Sequence, residues 1–225
     1  MNSLSEQSTT GDKSVRPVCF AGSNLGDRCH ICAFFHNRDD EYRALIPFVV
    51  EGIERGEKIV HTVDPDRRDD HLSRLHASGL DVTRLETTGQ FELRTWANTH
   101  FADGRFDPDR TLSLFEGVVK RAIREGYPLV RFITHMEWAL INQLSLNELL
   151  DYEAKANAIW MKQSGPVNPV ICTYDLNRFS SETVVDVIRT HPQTIIGGVL
   201  QENPFFVPPE DFVNELRRRT VKDAR

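Results

Sequence analysis

The stretch Cys29-His30-Ile31-Cys32-Ala33-Phe34-Phe35-His36 is apolar enough to form a buried strand, yet four of its eight residues can bind a metal or a proton. It runs straight into a polar helix start, Asn37-Arg38-Asp39-Asp40-Glu41. A first strand feeding a helix is where many α/β proteins keep a phosphate-binding loop. No glycine-rich loop stands at this position. The chain is thereby confined to an α/β fold whose usual nucleotide position is built from aromatic and imidazole side chains. Alternate residues of a strand share a face. His30, Cys32, Phe34 and His36 are therefore expected on one side, with Cys29, Ile31, Ala33 and Phe35 on the other.

Downstream, the apolar residues switch repeatedly between helical and strand periods. Helices are expected over 41–55, 67–77, 109–125, 146–163, 180–189 and 209–222. Further strands are expected over 58–63, 91–96, 129–134, 170–175 and 194–200. Gly56, Gly79 and Gly126 fall where helices should end, and Ser180 where one should begin. Such alternation means βαβ units and a mostly parallel sheet, here of about six strands with helices on both faces. The expected organisation is a disordered tail and lead-in loop over 1–27, one domain over 28–215, and the end of a terminal helix with its tail over 216–225.

Composition excludes several classes. A net charge of −6 argues against direct contact with nucleic acid. No apolar run approaches the roughly 20 residues that cross a bilayer, and the polar first residues lack a signal core. Four cysteines without a spaced framework point to a reducing cytoplasm. The Walker-type, dinucleotide-binding and nucleophile-elbow glycine motifs are all absent. Gly22-Ser23-Asn24-Leu25-Gly26 precedes the first strand instead of following it and lacks the lysine.

Ligands of parallel sheets sit beyond the carboxyl ends of the strands. Those ends supply His36, His61 and Asp64, His135 and Glu137 with Trp138, and Tyr174 with Asp175. Asp151, Tyr152, Glu153 and His191 could overhang the same edge. Each also has a plain structural use: His36 and His61 as strand-end histidines, Glu137 and Asp175 as helix caps, Tyr174 as core with a satisfied hydroxyl. An inward carboxylate at Glu153 requires a partner. Two further readings stay open. Cys29, Cys32 and Cys172 with the histidines could hold a metal, haem or iron–sulfur group, although a strand would send Cys29 and Cys32 to opposite faces. Glu137 and Glu153 could act as an acid/base pair in a hydrolase or transferase. The expectation is no metal and no cofactor.

The chain resembles the MEDS domain (methanogen/methylotroph, DcmR sensory domain) family. The resemblance rests on His30-Ile31-Cys32-Ala33-Phe34-Phe35, Leu45-Ile46-Pro47-Phe48, Gly104-Arg105-Phe106-Asp107-Pro108-Asp109 and Glu137-Trp138-Ala139-Leu140. It continues through Tyr152-Glu153, Tyr174-Asp175, Arg189-Thr190-His191-Pro192 and Asn203-Pro204-Phe205-Phe206. It implies a RecA/KaiC-like domain that has lost its phosphate loop. It also implies a non-catalytic sensory role, in which a small, apolar or hydrocarbon-like molecule regulates a separate kinase, anti-sigma factor or transcription regulator. A homo-oligomer is compatible with that role. The expected pocket comprises His30, Cys32, Phe34, His36, Glu137, Trp138, Glu153, Tyr174, Asp175 and His191.

Overall fold

A computed structural model describes residues 17–26, 30–141, 144–162 and 167–223. A small hairpin of β1 (Cys19–Phe20) and β2 (Ser23–Asn24) precedes β3 (His30–Phe35) and α1 (Arg38–Glu54). Next come β4 (Lys58–Val63), α2 (Arg68–Ala77), α3 (Val82–Thr87), β5 (Phe91–Thr95) and α4 (Pro108–Arg124). The chain continues through β6 (Val130–His135), α5 (Leu146–Trp160), β7 (Val170–Asp175) and α6 (Ser181–Thr190). It ends with β8 (Gln193–Ile196), β9 (Val199–Glu202) and α7 (Pro209–Asp223).

The main sheet has seven strands in the order β5-β4-β6-β7-β3-β8-β9. All adjacent pairs are parallel except β8 and β9. The single last strand expected over 194–200 is instead a hairpin. Gly197 and Gly198 both take positive φ, 60° and 76°, which a two-residue hairpin turn of this hand demands. The glycine pair therefore ends one strand and starts another, giving seven strands where six were expected.

β3 sits between β7 and β8, and its side chains alternate between two separate cores. Cys32 and Phe34 pack on one face with Phe115, Val118, Leu150, Val187 and Phe212 from α4 to α7. Ile31, Ala33 and Phe35 pack on the other with Leu45, Phe48, Val49, Leu75 and Val82 from α1 to α3. Fully burying a side chain of this size contributes about 1.5–3 kcal/mol, so both layers hold β3 firmly. Cys29 lies outside the described residues, and its expected direction is not addressed.

Two local devices set up the site. Ser145 caps α5 with Glu148 completing a capping box, which fixes the start of the helix bearing Glu153. At the amino end of the sheet Arg131 is wholly buried and bonded to Glu57 (2.5 Å), Glu51 (2.9 Å) and the Phe48 carbonyl (2.7 Å). Gly52 of α1 lies directly against that guanidinium.

Candidate functional site

On the α5 face, His30 from β3, Glu153 from α5, Cys172 from β7 and His191 after α6 converge in a space closed to solvent. Glu153 Oε2 is 3.3 Å from His30 Nε2 and 3.4 Å from His191 Nε2. Cys172 Sγ lies 3.5 Å from His30 Nε2, and the two imidazole rings are 4.2 Å apart. Tyr174 donates its hydroxyl to Glu153 Oε1 at 2.5 Å. Burial would raise the Glu153 carboxyl, but His191 and His30 outweigh it and hold the group well below the usual carboxylate range. Burial lowers His30, and the neighbouring His191 lowers it further. His191 is raised despite its burial, because Cys32 and Glu153 face it. Burial and the Glu153 charge push the Cys172 thiol up to about 12. One ligand atom from each of His30, Glu153, Cys172 and His191 lies within 4.8 Å of all the others.

A second polar cluster lies across the sheet beneath α1 and α2. Tyr42 is hydrogen-bonded to His71 Nδ1 (2.5 Å), and His71 Nε2 to His61 Nδ1 (2.8 Å). Arg38 bridges Glu41 (2.6 Å) and Glu137 (3.1 Å), while His135 Nε2 is 3.4 Å from Glu41. Burial raises the Glu137 carboxyl although Arg38 draws it down.

The third feature is open. A cleft of about 430 Å³ lies at the carboxyl ends of β3, β7 and β8, walled by Phe34, Phe35, Pro47, Leu176 and Ile196, with His36, Asp40 and Arg43 as its polar groups.

The expected pocket residues thus divide among several places. His30, Glu153, Tyr174 and His191 meet as one cluster, with Cys32 buried on the same face. Phe34 stacks on Tyr174 at 5.4 Å and also reaches the cleft. His36 is exposed and lines only the cleft. Glu137 joins the Arg38 cluster. Trp138 is buried in an aromatic box, stacked on His100 at 4.2 Å and flanked by Phe106 and Tyr152. Asp175 accepts the Asn177 backbone N–H in a turn and is not the helix cap that the sequence left open, which is Ser180. Sequence reasoning missed Arg38, His71 and His100 as inward groups. His71 sits in a run of charges that reads as a solvated helix face, and only the apolar residues around it hinted otherwise.

Most of the chain, residues 29–192, matches the family described as MEDS, the methanogen/methylotroph, DcmR sensory domain. A curated relative, the transcriptional repressor DcmR of Methylorubrum extorquens, is 25% identical over 184 residues. The match covers 81% of this chain and 65% of that protein, so the chain spans a little under two thirds of the relative's length. The crystal structure of a KaiC-like protein from Pyrococcus horikoshii OT3 superposes with a TM-score of 0.55. It is 16% identical and the match covers 78% of this chain and 73% of that one, a likeness of fold. Among the described residues no helix is long and apolar enough to cross a membrane.

Proposed function

The chain belongs to the MEDS family of sensory domains, and on that premise we propose that it binds a small apolar molecule and regulates a separate signalling protein in the cytoplasm. The observation that carries this reading is the cleft at the ends of β3, β7 and β8. Its size falls in the usual range for small-molecule pockets, and a largely apolar wall with a few polar groups is their usual chemistry. It opens beside the start of α1, where a related fold would hold phosphate. Here Asp39, Asp40 and Glu41 occupy the first turn of α1. These acids occupy the favourable helix end that a phosphate would use, and each is paired with an arginine: Asp39 with Arg74, Asp40 with Arg43 and Glu41 with Arg38. A neutral or weakly polar ligand is what the position accepts.

A non-catalytic role agrees with the placement of the two carboxylates that could form an acid/base pair. Glu137 is bonded to Arg38 beneath α1, whereas Glu153 faces His30 and His191 beneath α5. Their bonding to different partners speaks against a shared acid/base role.

Thermal-shift titration of the full chain with short haloalkanes, alcohols and other simple hydrocarbon derivatives tests the reading. A ligand at 100 times its dissociation constant adds about 2.7 kcal/mol of stability. Ala44→Phe projects a ring into the cleft and should abolish the shift while leaving the apo protein folded. Equal shifts in the wild type and Ala44→Phe would sink the cleft as the sensory site.

A further inference from the structure

We propose that His30 Nε2, Glu153 Oε2, Cys172 Sγ and His191 Nε2 form a tetrahedral site for a divalent transition metal of the zinc(II) class. The spacing carries the inference. Metal–nitrogen and metal–oxygen bonds of about 2.0–2.1 Å put tetrahedral ligand atoms about 3.3–3.4 Å apart, and a metal–sulfur bond of about 2.3 Å lengthens an N···S edge to about 3.6 Å. Three of the six edges match, 3.3 and 3.4 Å for the two Glu153–histidine pairs and 3.5 Å for His30–Cys172, and the whole set lies within 4.8 Å, so small side-chain shifts would close it on an ion. As hydrogen bonds the first two would be poor, since charge-assisted bonds are normally about 2.7–2.9 Å. Glu153 Oε2 and His191 Nε2 are indeed without a hydrogen-bond partner, although both residues are wholly buried. Such groups require an explanation, and a shared cation supplies one.

The surrounding bonds aim the lone pairs inward. His191 Nδ1 is 3.0 Å from the Val187 carbonyl, which can only accept. Thr190 Oγ1, 2.9 Å from the same nitrogen, itself donates to that carbonyl, so the contact favours a proton on Nδ1 with Nε2 left to coordinate, the usual outer arrangement for a metal-bound histidine. Tyr174 holds Glu153 Oε1, so Oε2 is the oxygen turned towards the imidazoles. Charge balances as well. Two neutral histidines, one carboxylate and one thiolate neutralise a dication, which suits a site buried in protein. On binding, a metal–sulfur bond replaces the Cys172 S–H bond and the proton leaves to solvent, together with any proton carried on His191 Nε2. The cysteine pair Cys29-x-x-Cys32 has no part in this set. The four ligands come from β3, α5, β7 and the segment after α6, so one ion would tie four remote stretches of chain together.

The full-length chain, expressed in minimal medium supplemented with cobalt(II), provides the test. About one equivalent of cobalt per chain should co-purify, with the intense visible bands of tetrahedral cobalt and a near-ultraviolet thiolate-to-metal transition. Cys172→Ser should lose the near-ultraviolet band, and Cys32→Ser should keep it. Failure of the wild type to retain cobalt, a weak octahedral spectrum, or survival of the thiolate band in Cys172→Ser would each overturn the site. The wild-type spectrum decides even where a variant folds poorly. The inference stands apart from the cleft, since Ala44→Phe should keep the cobalt spectrum while losing the ligand-induced thermal shift.

Discussion

Acidification from pH 7.5 to 5.5 should destabilise the protein by several kcal/mol through histidines alone. His61, His71, His100 and His135 are all buried outside the His30–His191 cluster. Burial is the first cause of lowered basicity in each, taking His71 and His100 to about 3 and the other two well below the ordinary value. Their neighbours reinforce or fail to reverse this. Around His135 stand Arg38 and Arg67, with Glu41 at 3.4 Å; His71 meets His135, Glu41, Asp70 and Arg38; His100 faces only the more distant Glu153. A histidine kept neutral by the fold binds its proton only on unfolding. Stability is therefore complete above about pH 6.5 and is lost as pH falls towards the folded value. At pH 5.5, one unit below the ordinary histidine value, each such residue favours the unfolded chain by about 1.4 kcal/mol. Four of them give about 5–6 kcal/mol, comparable with the whole stability of many domains. Most carboxylates titrate lower, so this pH window reports chiefly the histidines; Glu137, which burial raises, would act in the opposite direction. Urea unfolding at pH 7.5, 6.5 and 5.5 would measure the loss. A decrease below about 1.5 kcal/mol, or four histidine ring signals titrating near 6.5, would refute the reasoning.

Three substitutions probe the packing. In Gly52→Ala the new Cβ would stand 2.7 Å from Ile59 Cδ1 and 2.8 Å from Arg131 Cδ, and overpacking of this kind should cost about 1–3 kcal/mol in a denaturant midpoint. Arg131→Ala leaves Glu57 buried with its strongest partner gone, and a loss of about 3–5 kcal/mol is expected in the same assay. Tyr174→Phe removes the donor to Glu153 Oε1 and should cost about 1–3 kcal/mol, whereas an equal loss in a Glu153→Gln background would show that the hydroxyl acts elsewhere.

The alternation of β3 was legible because strand geometry makes side-chain direction a property of sequence position. Ile31 and Phe35 went to one core and Cys32 and Phe34 to the other, and the parallel layers followed from the βαβ pattern. The hairpin at Gly197-Gly198 was missed because a continuous apolar run masked the turn that the two glycines mark. The site was legible in type but not in grouping. His30 stands more than a hundred residues before Glu153 and His191 in the chain, and the strand order that brings β3 between β7 and β8 is written in no local pattern. His36 and Glu137, as strand-end residues, were expected in the same pocket. Their separation depends on where the helix after each strand turns, which places Glu137 under Arg38 and leaves His36 in solvent.

The cleft and the closed cluster share a wall. Phe34 lines the cleft and stacks on Tyr174, and the Tyr174 hydroxyl fixes the Glu153 carboxylate that faces His30 and His191. A ligand bearing on β3 at Phe34 therefore acts two contacts from the cluster, through the ring stacked on Tyr174 and a short hydrogen bond. Packed interiors respond to such pressure by shifting between discrete arrangements, not by graded yielding. The cobalt-loaded protein offers a direct reading of this coupling. Saturating the cleft should displace the cobalt bands, because the Glu153 oxygen moves with its tyrosine. Phe34→Ala should leave the bands of the unliganded protein in place and abolish the response to ligand. Unchanged bands in the wild type at saturation, with binding proven by thermal shift, would mean that the cleft signals by another route.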